Sequence, residues 1–179
     1  MKLTCPTDEN ALVEGFEHKG KIPEIYALNY GNQQPALECE DIPKNTVSLT
    51  IIVDDPDAKK VPKKLGGQGK IWVHWTIWNL AVTHGNLPDS KPSMGLGPDT
   101  VSGMTSFQRT GYDGPAPPDK EHTYRFSIFA LDTKLSLDSK ATKTDLMKAM
   151  KGHILDQDTL LGTFEDPELR KKREAKDKK

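Results

Sequence analysis

Two aspartates and two histidines are the residues of this chain best suited to chemistry. Asp55 and Asp57 sit in the string Asp54-Asp55-Pro56-Asp57-Ala58, and His74 and His122 follow in aromatic-rich segments. Brought together, two carboxylates and two imidazoles can form a general acid/base pair for phosphoester hydrolysis, or a mixed nitrogen and oxygen metal site. Trp72 and Trp78 flank His74 at even spacing. Rings that pair an apolar body with a polar edge suit a pocket wall. Each residue also has a plainer reading. Asp-Pro-Asp builds a turn by hydrogen-bonding its own backbone, and a histidine on an apolar strand face is commonly a satisfied core residue. Tighter signatures are absent: there is no His-x-x-x-His or His-Glu-x-x-His spacing, no Gly-x-Ser-x-Gly elbow, and no Cys-x-x-Cys at Cys5 or Cys39. No metal or cofactor is therefore expected, and the two cysteines are expected as free thiols or small core residues, with a bridge between them left open.

Strands must position these groups. Val47–Val53, Ile71–Trp78 and His122–Leu131 each alternate with the period of a half-buried strand and are rich in β-branched and aromatic residues. Pro56 cannot continue a central strand, so the carboxylates fall at a strand-end turn. Alternation puts Trp72, His74, Thr76 and Trp78 on one face, and His122, Tyr124, Phe126, Ile128 and Ala130 on one face of the third strand. Helical signal comes late. Thr142 to Asp145 resembles a capping box, Leu146, Met150 and Ile154 repeat at helical spacing, and Gly152 is a stop. A second start at Asp166-Pro167-Glu168 opens a polar helix. Strands precede helices without βαβ alternation, which predicts a mostly β fold, an antiparallel β-sandwich with a few peripheral α-helices near the C-terminus. Residues 1–165 are assigned to that domain and 166–179 to a charged helix or tail.

Composition bounds the function. A chain of 179 residues, 35% hydrophobic and 28% charged, can bury one sizeable core. Its net charge of −1 resolves into +5 on residues 170–179 and −6 on the rest. An acidic body argues against nucleic-acid binding, and the basic tail reads as a solvated end. No apolar run reaches the ~18 residues of a membrane span and the N-terminus lacks an apolar signal region, so a cytoplasmic protein without a transmembrane segment is expected. Residues 83–119 hold six of the 14 glycines and six of the 13 prolines, and they join the two histidine-bearing segments. A connection that long is usually functional. Five lysines lie between Lys59 and Lys70; they either steer anions or simply solvate a loop.

The order of these pieces is more specific than any one of them. A strand enters Asp55-Pro56-Asp57-Ala58, a His74-Trp75 strand follows, then Gly111-Tyr112-Asp113-Gly114-Pro115-Ala116-Pro117-Pro118, then His122-Thr123-Tyr124. This order resembles the phosphatidylethanolamine-binding protein family, in its bacterial and archaeal Raf-kinase-inhibitor-like branch. The resemblance runs from Ile22-Pro23 through Ala130-Leu131-Asp132 to Gly152-His153-Ile154-Leu155 and ends before the tail. It implies a β-sandwich with a small anion pocket near one end of the sheets, matched here by Asp55, Asp57, Trp72, His74, Gly114, Pro115, His122 and Tyr124. Two positions depart from the family pattern: Thr123 stands where Arg is common, and Lys59 where Pro often follows.

The implied function is non-catalytic binding of phosphate, phosphoethanolamine or a phospholipid head group, with modulation of a protein partner such as a kinase or protease. A phosphoester hydrolase built on the same His/Asp cluster is the alternative. Relatives of that branch are often homodimers, which implies a dimer. Bare aspartates would repel a phosphate. If they instead hydrogen-bond the imidazoles, they favour the charged ring and leave it to donate to the anion. Backbone N–H groups of the Gly/Pro turn and the Tyr124 hydroxyl complete the donor set.

Overall fold

The three alternating segments become the central strands of one large sheet. The computed structural model describes residues 1–8, 14–83 and 92–177. Its strands are β1 (Lys2–Thr4), β2 (Gly20–Lys21), β3 (Glu38–Glu40), β4 (Ser48–Asp55), β5 (Trp72–Thr83), β6 (Ser93–Gly95), β7 (Val101–Ser102), β8 (His122–Leu131) and β9 (Ile154–Phe164). Among the described residues two α-helices, α1 (Lys143–Met150) and α2 (Pro167–Asp177), come late in the chain, as their caps predict. β4 lies between β5 and β8, antiparallel to both. Beyond β8 come β9 and β2, and β5 carries β6 and β7.

The expected antiparallel sandwich needs correction. β2 runs parallel to β9, so the seven-stranded sheet is mixed, and the second sheet is only the ribbon of β1 and β3. The ribbon touches β9 with one strand and β6 with the other, at opposite sides of the large sheet, so that sheet curls around it. No alternation announces β2, whose pairing spans only Gly20 and Lys21. Packing sets it. Gly162 leaves room for Ile22 and Phe16, whose side chains come within 2.6 and 2.8 Å of where a Cβ would stand.

All eight residues of β4 are buried, where a half-buried strand was expected. Leu49, Ile51 and Val53 join Trp75, Ile77, Phe126 and Ile128 in one core, and Ile52 joins Trp78, Phe129 and Leu131 in a second. α1 closes the second core with Leu146 and Met150, each fully buried. Its capping box is formed: Thr142 Oγ1 accepts from the Asp145 N–H at 3.4 Å, and Asp145 Oδ2 accepts from the Thr142 N–H at 2.9 Å. Ile154 does not extend the helix. Gly152, at φ +86°, turns the chain and Ile154 opens β9, 38% exposed. Asp166 caps α2 by accepting from the Glu168 and Leu169 N–H groups, and only Pro167 of that helix is buried. Lys178 and Lys179 lie outside the described residues.

Among the described residues no helix is long and apolar enough to cross a membrane. Cys5 and Cys39 are buried free thiols, and burial pushes each up to about 11. Residues 84–91 of the Gly/Pro-rich connection lie outside the described residues. The remainder carries β6 and β7, so it is more structured than a bare loop.

Candidate functional site

One end of the sheet gathers the last residue of β4 and the first residues of β5 and β8. Asp55 is opposite Trp72, and His122 opens β8 beside them. A bulge then decides where His74 points. Val53 pairs with Trp75 while Asp54 pairs with Val73, so His74 is the extra residue on β5. Plain alternation puts His74 on the side of Trp78. The bulge turns its ring instead onto Tyr124 at 5.2 Å and Phe107 at 5.4 Å, while Trp78 is fully buried in the second core. The expectation that His74 and Trp78 share a face is corrected on this ground.

His74 is buried, and its Nδ1 lies 2.8 Å from the Asp113 carbonyl and 3.1 Å from that of Gly114. Carbonyls only accept, so Nδ1 carries the proton and donates, which leaves Nε2 the unprotonated nitrogen of the neutral ring. Burial lowers its pKa, against an upward pull from those carbonyls and from Asp55. Asp113 is itself held by Arg109 Nε at 2.8 Å, and its N–H donates to the His74 carbonyl at 3.0 Å.

His122 is held differently. Nδ1 meets Asp55 Oδ2 at 2.6 Å and Nε2 meets Asp119 Oδ1 at 2.8 Å, with the ring 1% exposed. Carboxylates accept from both nitrogens, which makes the ring an imidazolium. Burial opposes the charge, but Asp55 and then Asp119 outweigh it and raise the His122 pKa above its ordinary value. Asp55 is fixed in turn by the Ala58 N–H at 3.1 Å.

A cavity of about 180 Å³ opens on this cluster. Asp55, Trp72, His74 and His122 line it, together with Phe107, Ala116, Pro118 and the loop from Ala58 to Lys70. It is smaller than the ~300–1,000 Å³ of common drug-sized pockets, so it suits only a small molecule. The loop presents Val61, Leu65, Gly66, Gly67 and Gln68 to the cavity while Lys59, Lys60, Lys63 and Lys64 stay exposed. Lys70 does both, with Nζ 5.6 Å from the Trp72 ring.

The other expected site residues stand behind this wall. Asp57 accepts from the Thr123 N–H at 3.0 Å and from Lys60 at 3.3 Å. Burial works upward on its carboxyl, but those two donors hold it below the ordinary carboxylate value. Gly114 donates its N–H to Asn32 Oδ1 at 2.8 Å, and the Pro115 carbonyl accepts from the Leu28 N–H at 3.0 Å. These contacts clamp the turn to the segment behind it. Tyr124 is fully buried beside both imidazoles, its ring 6.4 Å from His122. Its hydroxyl has no hydrogen bond of ordinary geometry among the described residues. Burial first, then the charge of Asp55, push it well above its usual value, against a weaker pull from the Ala116 backbone.

Sequence reasoning missed Phe107, Asp119 and Asn32. Only Asp119 had a local signal, a Pro-Asp turn three residues before His122.

The model of the phosphatidylethanolamine-binding protein family matches residues 13–165. The chain belongs to this family. Within the phosphatidylethanolamine-binding proteins it falls in the bacterial and archaeal branch. It is 36% identical over 156 residues to a UPF0098 protein of Methanothermobacter thermautotrophicus, covering 87% of this chain and 97% of that one. The crystal structure of a phosphatidylethanolamine-binding protein homologue from Chlamydia trachomatis is similar at 34% identity and a TM-score of 0.71, covering 92% of this chain and 96% of that one. YbcL of E. coli shares the fold at 21% identity and a TM-score of 0.71, covering 92% of this chain and 98% of that one.

Proposed function

We propose that this protein binds a small phosphorylated anion, phosphate or the head group of a phospholipid such as phosphoethanolamine, without turning it over. One observation carries the reading: a buried imidazolium, His122, stands with His74 on the wall of a cavity sized for such a group. A desolvated cation is a strong donor to phosphate oxygen. The family description supports the same ligand class.

The competing hydrolase needs a free general base or a metal ligand. Both nitrogens of His122 are engaged by carboxylates and His74 Nδ1 is engaged by carbonyls, so of the four imidazole nitrogens His74 Nε2 is the one left for such a role. Occupancy would reach a protein partner, a kinase or protease, through the Lys59–Lys70 loop, whose inner side walls the cavity and whose lysines face out.

Phosphorus NMR titration with phosphate and phosphoethanolamine tests the proposal. Saturable binding is expected, weakened by His74→Ala and by raising pH through the titration of His122. No binding at any pH overturns it, and steady release of p-nitrophenol from its phosphate ester transfers the site to hydrolysis.

A further inference from the structure

The outer nitrogen of His122 already has a partner. Asp119 Oδ1 lies 2.8 Å from Nε2, where an incoming phosphate oxygen would accept the hydrogen bond of its N–H. The cluster Asp55, His122 and Asp119 therefore sums to one negative charge, and Asp57 adds another nearby that is committed to Thr123 and Lys60. His74 contributes none while neutral, and Lys70 is the cation among the other cavity-lining residues. An anion gains the imidazolium only by replacing a carboxylate that is already there.

The two carboxylates are not equally replaceable. Asp55 is 5% exposed, sits at the end of a fully buried strand and is tied to the Ala58 N–H. Asp119 is 16% exposed and lies on the turn after Pro118, a residue of the cavity wall. Its other hydrogen bond, from the Lys120 N–H at 3.0 Å, is local and travels with the turn. Releasing Asp119 to water disturbs no strand pairing.

On the reading that the cavity binds phosphate, we propose that Asp119 is a built-in competitor that makes the site selective for dianionic phosphomonoesters over monoanionic phosphodiesters. A singly charged ligand exchanges like for like with Asp119 and gains little. A dianion brings a stronger acceptor to the same imidazolium, with a second charge to bind the Lys70 ammonium on the cavity wall. The discriminating step is the exchange of one acceptor for another on His122 Nε2, with the proton staying on the ring.

Calorimetric titration at pH 7.5 with phosphate, phosphoethanolamine and glycerophosphoethanolamine compares a free anion, a monoester and a diester head group. For the parent protein the monoester should bind more tightly than the diester. Asp119→Asn keeps the shape and removes the charge. It should tighten phosphate by about tenfold, the scale of one charge-assisted hydrogen bond, and narrow the monoester-to-diester ratio. Asp119→Ser should do the same. In the unmodified protein, the Asp119 carboxyl ¹³C resonance should shift on phosphate saturation. If the parent protein binds phosphate while both variants bind no tighter and the Asp119 resonance stays still, the competitor role falls and the anion site stands. If neither parent nor variants bind any probe, the anion site falls and takes the competitor with it.

Discussion

Asp54 and Asp55 are consecutive on β4 yet serve opposite faces of the sheet, each neutralising a cation that β8 supplies. Asp54 takes Arg125 through two bonds of 2.7 and 2.8 Å and adds Lys143 of α1. Asp55 takes His122 at 2.6 Å on the cavity side. Alternation along one strand thus separates a structural ion cluster from the cavity cluster by a single residue.

Replacing Asp54 should therefore cost stability and spare binding. Asp54→Asn strips Arg125 and Lys143 of their carboxylate. Those side chains are 37% and 24% exposed, so water softens the loss to about 1–3 kcal/mol, less than for a fully buried pair. The urea midpoint should fall while phosphate affinity holds. Equal loss of affinity would show that the two faces are coupled.

The two site histidines should titrate on opposite sides of the ordinary histidine value. His122 is raised, so its contribution to stability is complete below that value and is lost as pH rises through the raised one. His74 is lowered, so its contribution is complete above the ordinary value and is lost as pH falls through the lowered one. Ring-proton NMR titrations read both directly. Asp55→Asn should bring His122 down, and a His74 that titrates above His122 would contradict the burial and carboxylate contacts described.

Gly114→Ala should damage fold and site together. A Cβ there would stand 1.8 Å from the Tyr26 carbonyl oxygen, a backbone atom that cannot swing away. The strain should cost about 1–3 kcal/mol or more. The shift would also pull the Gly114 carbonyl from His74 Nδ1, so thermal stability and phosphate affinity should drop in the same variant. A variant with the parent melting temperature would mean that the Tyr26 segment yields freely.

Thr142→Ala gives the converse case. It removes the N-cap of α1, which packs on the second core, and should cost about 0.5–2 kcal/mol. Phosphate affinity should not change, because α1 contributes no side chain to the cavity wall. Calorimetry on the folded variant checks both halves.

Much of the scaffold was legible in the chain itself. The period of two in β4, β5 and β8, the Thr142–Asp145 cap and the Asp166-Pro167 start are local patterns. They act through neighbouring residues, so each marks an element of the structure, although β5 runs on to Thr83 past the expected end at Trp78 and β4 to Asp55 past Val53. The order of Asp-Pro-Asp-Ala, His74, Gly114-Pro115 and His122-x-Tyr124 also carried the family. Tertiary structure decided the rest. The side on which His74 faces depends on a one-residue slip between β4 and β5, which exists only once the strands pair. That slip separates it from Trp78. The parallel edge at β2 rests on side chains that pack over Gly162, and no pattern in Gly20-Lys21 encodes it. Asp55 and His122 meet across 67 residues of chain, and Asp119 completes the clamp from a turn whose closure depends on where β8 begins. Periodicity is a property of a segment. Which carboxylate reaches which imidazole is a property of the whole folded chain, because it depends on register and close packing between segments far apart in sequence.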